Sequence, residues 1–201
     1  MPDNDTLSIK QSIRDSLLKK RKSLTSQERQ TAGEKAAAFL IQTNFYKNSQ
    51  MIACYLAIGG EIETQPIIQQ IRKDQKQCYI PILNPYHTGT LLFGLYLPET
   101  QLIKNKCRTL EPTINPKHLI SPNLLDLVIL PLTAFDHHGN RLGMGGGYYD
   151  RTFAFLKQAP SNLNHRPFLC GLAYDFQETP EIPSETWDVQ LDAVITDKGL
   201  K

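Results

Sequence analysis

Apolar residues recur at every fourth position near the start of the chain. In "LSIKQSIRDSLLKKRKSL", Ile9, Ile13 and Leu17 share one side of a helix, with polar residues between them. A second helical stretch follows in "TSQERQTAGEKAAAFL", where Thr25 and Glu28 have capping-box spacing and the alanines favour helix. The pattern then changes to short runs that are apolar without alternation. "QMIACYLAI" (Gln50 to Ile58), "QCYIPIL", "LLFGLYL", "LDLVILPL", "PFLCGLAY" and "LDAVIT" each predict a strand. Between the first two, "TQPIIQQIRKDQ" predicts a helix capped by Thr64 with Pro66 in its first turn. "YYDRTFAFLKQ" predicts another helix, and Pro98 to Pro122 reads as loop with short pieces of structure. Strands that alternate with helices and are apolar throughout need cover on both faces. The expected fold is a single α/β domain over residues 1–201. Its three layers, α/β/α, would enclose a mixed, mostly parallel central sheet.

Composition supports a folded chain and excludes several classes. Hydrophobic residues make up 40% and charged residues 21%, which is globular rather than disordered. A formal net charge of +2 gives no electrostatic case for nucleic acid, and none is expected as a partner. The longest apolar stretch, Leu124 to Leu132, contains Asp126 and is too short to span a bilayer. The polar start "MPDNDTLSIKQ" has no apolar signal region, so a cytoplasmic protein without membrane association is expected. Cys54, Cys78, Cys107 and Cys170 are widely spaced and read as free thiols of a reducing compartment. No Cys or His falls at zinc-ligand spacing.

The stretch "RLGMGGGYYDR", Arg141 to Arg151, carries the candidate chemistry. It places Gly143, Gly145, Gly146 and Gly147 between the most apolar strand and the following helix. Ligands of open α/β sheets bind beyond the carboxyl ends of the strands. Glycines there expose backbone N–H groups to an anion, and a helix N-terminus adds positive dipole. The stretch therefore reads as a phosphate cradle. It is not a Walker loop, which needs GK[ST], nor a dinucleotide fingerprint, because Tyr148 stands where the third glycine would fall. The preceding "DHHGN", Asp136 to Asn140, reads as a surface turn rather than a metal site. "KKRK", Lys19 to Lys22, reads as a solvated helix end.

"LPLTAFDHHGNRLGMGGGYYDR" is similar to the signature of the 5-formyltetrahydrofolate cyclo-ligase family. "KQSIRDSLLKKR", "YLAIGGEIETQPII" and "IPSETWDVQLDAVITDKGL" fit the same family in the same order, so the resemblance covers nearly the whole chain. It implies a sugar-phosphate isomerase/CoA-transferase-like topology. It also implies ATP-dependent closure of folinic acid to 5,10-methenyltetrahydrofolate, with ATP as co-substrate, Mg²⁺ as cofactor, and ADP and phosphate released. These small molecules are the expected partners of a monomer.

By the same resemblance, Arg141, Tyr148 and Asp150 are the expected catalytic residues. Lys10, Arg14, Arg141, Leu142, Gly143, Met144, Gly145, Gly146, Gly147, Tyr148 and Tyr149 are expected around ATP. Leu56, Glu61, Met144, Gly145, Gly146, Gly147 and Tyr148 are expected around the folate. Met144 occupies a position where the family also accepts arginine or an aromatic. Asp150 and Asp188 match the metal positions, with Asp192 as an alternative to Asp188. Glu63, two residues beyond Glu61 on an extended strand, would face the same side, so either could read the pterin. Tyr148 and Tyr149 either stack on substrate or pack. Trp187 either flanks a base or anchors the fold.

Overall fold

The most apolar run of the chain forms the central strand of the sheet. The computed structural model describes residues 4–105, 109–157 and 165–201. Cys107 lies outside them. The helices are α1 (Asn4–Ser23), α2 (Ser26–Leu40), α3 (Asn44–Asn48), α4 (Gln65–Lys73) and α5 (Tyr148–Thr152). The first strands are β1 (Met51–Ala53), β2 (Gln77–Leu83), β3 (Leu91–Leu95), β4 (Leu102–Lys104) and β5 (Leu110–Pro112). They are followed by β6 (Leu127–Pro131), β7 (Ala134–Phe135), β8 (Arg141–Leu142), β9 (Phe168–Ala173), β10 (Ala193–Thr196) and β11 (Gly199–Leu200). Seven strands form one sheet in the order β11-β10-β9-β6-β1-β2-β3. The inner pairings from β10 to β2 are parallel, and the edges β3 and β11 run antiparallel.

β6 shows why its sequence does not alternate. Leu127 and Ile129 point to the face covered by α2, α3 and α4, where Ala36, Leu40, Tyr46, Ile67, Ile68 and Ile71 are buried. Val128 and Leu130 point to the other face, packed beneath Phe93, Phe135 and Phe153. Each such buried aliphatic contributes about 1.5–3 kcal/mol, so a strand covered twice leaves no polar position. The three-layer α/β/α expectation and the mixed, mostly parallel sheet are both found. Among the described residues, no helix is long and apolar enough to cross a membrane.

α2 begins where the capping box places it. Thr25 Oγ1 accepts from Glu28 N at 3.2 Å, and Thr25 N donates to Glu28 Oε2 at 2.7 Å. Thr25→Ala is expected to lower stability by about 1 kcal/mol, read as a lower urea midpoint with unchanged slope. An unchanged midpoint would mean that packing alone holds the helix.

Several local expectations are corrected. The strand expected over Gln50 to Ile58 pairs only as β1, because the chain leaves the sheet after Cys54 to wall a cavity. Of the α1 stripe, Ile13 and Leu17 pack against Ala134, Leu142 and Ile182, whereas Ile9 is exposed. Thr64 sits at the cap position of α4 without capping it. Its hydroxyl accepts from Ala57 N, and Glu63 Oε1 instead receives Thr64 N and Gln65 N. α5 stops after five residues and continues as a 3-10 turn, Ala154–Lys157. There Thr152 Oγ1 donates back to Tyr148 O at 2.6 Å and accepts Leu91 N at 2.9 Å, tying the helix end to β3. The short strands β4 and β5 pair as a hairpin within the expected Pro98–Pro122 loop.

Candidate active site

The glycine loop follows β8, the second strand of a small hairpin paired with β7 beyond the carboxyl end of β6. The turn of that hairpin is "DHHGN", but it is not a simple surface turn. Asp136 is 2% exposed, and its carboxylate accepts from His138 N, Asn140 N, Asn140 Nδ2 and Ile182 N at 2.9–3.0 Å. Burial alone would raise its pKa. The hydrogen bonds from Asn140, Ile182 and His138 outweigh that and hold it below the ordinary aspartate value. Among the described residues no three His, Cys, Asp or Glu side chains cluster as a metal site.

Within the loop, two glycines are required by backbone geometry. Gly145 has φ +88° and Gly147 has φ +61°, both left-handed, and Gly147 stands at the N-cap of α5. Arg14 Nε donates to Gly143 O at 2.9 Å, and Arg151 Nη2 donates to Gly146 O at 2.5 Å. Two guanidinium groups thus hold the loop by its carbonyls, which leaves the intervening N–H groups for another partner. α5 has only five residues, so it supplies far less dipole than the expected longer helix.

Charged residues distant in sequence meet at this loop. Arg141 Nη2 pairs with Asp150 Oδ1 at 2.8 Å, and its Nη1 donates to Val189 O. Asp150 Oδ1 also receives Val189 N at 3.2 Å. Lys10 Nζ lies 3.6 Å from Asp188 Oδ2, which receives Glu185 N at 2.9 Å. Lys10, Arg14, Arg141, the glycine loop, Asp150 and Asp188 therefore form one neighbourhood. Asp192 is elsewhere: it pairs with Arg166 and receives Leu169 N near the start of β9, the opposite end of the sheet.

Beside this cluster opens a cavity of about 660 Å³, its mouth included. Its walls are mainly apolar: Tyr55, Leu56, Ile58, Pro81, Leu83 and Leu91 contribute, with Tyr148 and Tyr149 toward the glycine loop. The β4–β5 hairpin adds Asn105, Thr109 and Leu110. Glu61 is the carboxylate that lines it, and Oε2 accepts Ile58 N at 3.0 Å. Burial pushes the Glu61 pKa up, opposed by the Ile58 N–H and by Arg21. Burial also raises Tyr149, which stacks on Phe153 at 6.4 Å between centroids.

Comparison with known proteins fits this arrangement. The 5-formyltetrahydrofolate cyclo-ligase family matches residues 6–197. The chain belongs to that family of enzymes. The cyclo-ligase of Escherichia coli (strain K12) is 37% identical over 177 residues, covering 88% of this chain and 94% of the relative. That of Haemophilus influenzae is 37% identical over 183 residues, covering 90% and 94%. Among solved structures, the NMR structure of Aquifex aeolicus 5,10-methenyltetrahydrofolate synthetase has a TM-score of 0.78 at 28% identity, covering 96% of this chain and 92% of that one. A Mycoplasma pneumoniae 5,10-methenyltetrahydrofolate synthetase has a TM-score of 0.69 at 25% identity, covering 94% and 98%.

For a cyclo-ligase family member, some sequence expectations need correction. Glu63 does not share the side of Glu61; it caps α4, because the chain turns rather than running as a strand. Leu142 is buried with Ala134 and Ile182, so its side chain faces the core. Met144 is 68% exposed, and Trp187 is exposed rather than anchoring the fold. Arg21, expected on a solvated helix end, is 2% exposed. Sequence reasoning missed it, along with Tyr55, Pro81, Leu83, Leu91 and the hairpin wall. Tyr55, Pro81, Leu83 and Leu91 sit in strand-like apolar runs and the hairpin wall in the expected Pro98–Pro122 loop, so none gives a signal until the chain folds.

Proposed function

We propose that this protein uses ATP to close 5-formyltetrahydrofolate to 5,10-methenyltetrahydrofolate, releasing ADP and phosphate. The observation that carries the reading is the junction of two unlike surfaces. A cavity with apolar walls and one carboxylate, Glu61, abuts a cationic cluster and a glycine loop through Tyr148 and Tyr149. A pterin is flat and has donor edges, which suits a carboxylate acceptor between apolar walls. A triphosphate suits backbone N–H groups flanked by Lys10, Arg14 and Arg141.

A formamide is a poor electrophile and its oxygen a poor leaving group. In the proposed reaction the formyl oxygen attacks the γ-phosphorus and the β–γ bridge breaks, leaving ADP. N10 then attacks the activated carbon and releases its proton to solvent, and the former formyl oxygen departs with phosphate. The chain's task is alignment and charge neutralisation. Arg141, beside Asp150, would meet charge on the transferring phosphoryl.

The donor set fits Mg²⁺. Asp150 engages its protein partners through Oδ1 and Asp188 through Oδ2, so each keeps an oxygen available. Mg²⁺ commonly takes one or two carboxylates, with phosphates and water completing its shell. When bound it would supply charge neutralisation at the phosphates. Cys54, Cys78 and Cys170 are free, which agrees with a cytoplasmic enzyme.

Mixing protein, folinic acid, ATP and Mg²⁺ should produce the near-ultraviolet absorbance of the methenyl product only when all are present. ATP binding with no such signal would point to another small acid as substrate. Within the same assay, Glu61→Gln is expected to raise the folinic acid KM by about tenfold or more, whereas Glu63→Gln should leave it within about twofold and lower stability instead. Equal effects on KM would contradict the division of roles.

A further inference from the structure

Arg21 lies in the last turn of α1, in the run "KKRK". Lys19, Lys20 and Lys22 stay at the surface, while the Arg21 side chain passes inward. Nη1 donates to Leu132 O at 3.3 Å, just beyond β6. Nη2 donates to Gly59 O at 3.3 Å and Ile58 O at 3.5 Å, and lies 3.6 Å from Glu61 Oε1. One guanidinium therefore gathers the end of the central strand, the 58–59 turn and the carboxylate that lines the cavity. The main chain of the turn lies against α1: a Cβ on Gly60, where φ is +83°, would sit 2.9 Å from Arg21 O. Tyr174 OH donates to Gly60 O at 3.3 Å.

This arrangement exceeds what a helix end needs. Arg21 Nε is buried without a hydrogen-bond partner, a cost that a solvated lysine would avoid. The planar five-donor fork reaches carbonyls and a carboxylate together in fixed directions, a geometry that a three-donor ammonium meets only in part. Arg21 does not line the cavity, whereas Ile58 and Glu61 do.

We propose that Arg21 is a positioning residue for substrate recognition, holding the Glu61 carboxylate aimed into the cavity without touching the substrate. The inference rests on the folate reading given above. Among the described residues, the titratable groups coupled to Glu61 are Arg21 from α1, Tyr55 beyond β1 and Tyr149 from α5. Arg21 is the cation that opposes the burial of this carboxylate. Without it, Glu61 would be protonated more readily and would lose acceptor capacity toward a donor edge.

The test is Arg21→Met, which keeps the apolar stem, measured beside the wild-type enzyme. The folinic acid KM should rise roughly 10- to 100-fold, while the ATP KM stays within about twofold. The acid limb of kcat/KM for folinic acid should move to higher pH. Arg21→Lys should restore part of both effects. Should Arg21→Met fold poorly, the pair Arg21→Met with Glu61→Gln removes both charges and avoids a lone buried carboxylate. That pair should bind folinic acid about as weakly as Glu61→Gln alone. Parallel loss of folinic acid and ATP affinity, an unmoved acid limb, or additive effects in the double variant would reduce Arg21 to a backbone clamp and overturn the proposal. A wild-type protein that does not turn over folinic acid would overturn the folate reading itself, and is seen before any variant is made.

Discussion

Asp150→Asn is expected to lower kcat by about 10²- to 10³-fold with the fold intact. Asp150 lies in α5 at the end of the glycine loop, where its Oδ1 receives Arg141 Nη2 at 2.8 Å and Val189 N at 3.2 Å. Asparagine keeps the volume and an acceptor for Val189, so the hairpin and the 185–189 segment stay in register. It removes the charge that orients Arg141 and would share Mg²⁺ with Asp188. The Mg²⁺ concentration for half-maximal rate should rise along with the loss of kcat. Circular dichroism and thermal unfolding would confirm the fold. A kcat within about twofold of wild type would remove Asp150 from the chemistry.

The largest stability effect is expected at Asp136. Asp136→Ala removes the acceptor of three backbone N–H groups and the Asn140 amide, in a site 2% exposed. Orphaned donors of this kind cost 1–3 kcal/mol when fully buried. Partial rehydration at the turn brings the expected total to about 3 kcal/mol, read from urea unfolding. A loss under about 1 kcal/mol would mean that the turn holds itself. The pH dependence has a definite sign. The folded pKa of Asp136 lies below its unfolded value. Its contribution is therefore complete above the ordinary aspartate value of about 4 and is lost as pH falls through the lower folded value. Asp136→Asn should flatten that part of the stability curve. Because β8 leaves this turn directly into Arg141, activity should fall in Asp136→Ala as well.

The legible part of the fold was the part governed by periodicity. β6 and β9 are apolar at every position because both faces are covered, and α2 is announced by Thr25 and Glu28. What was not legible depended on contacts between distant segments. Nothing in "KKRK" distinguishes Arg21 from its lysine neighbours until α1 meets the 58–61 turn. Nothing in "EIETQP" says that Glu63 rather than Thr64 caps α4. β11 has only two residues and is held by pairing to β10, too short for any pattern. For the candidate site, the glycine loop suggested anion binding from its residues alone. The resemblance already set Leu56 and Glu61 around the folate, whereas the pairing of Lys10 with Asp188 required the fold.

In the proposed reaction, ATP activates the formyl oxygen at the junction of cavity and loop. Folinic acid carrying a heavy-oxygen label in the formyl group, incubated with the enzyme, ATP and Mg²⁺, tests this directly by mass analysis of the released phosphate. The label is expected to leave in inorganic phosphate, in step with methenyl product. Product formed with the label lost to water, or phosphate released unlabelled, would contradict it.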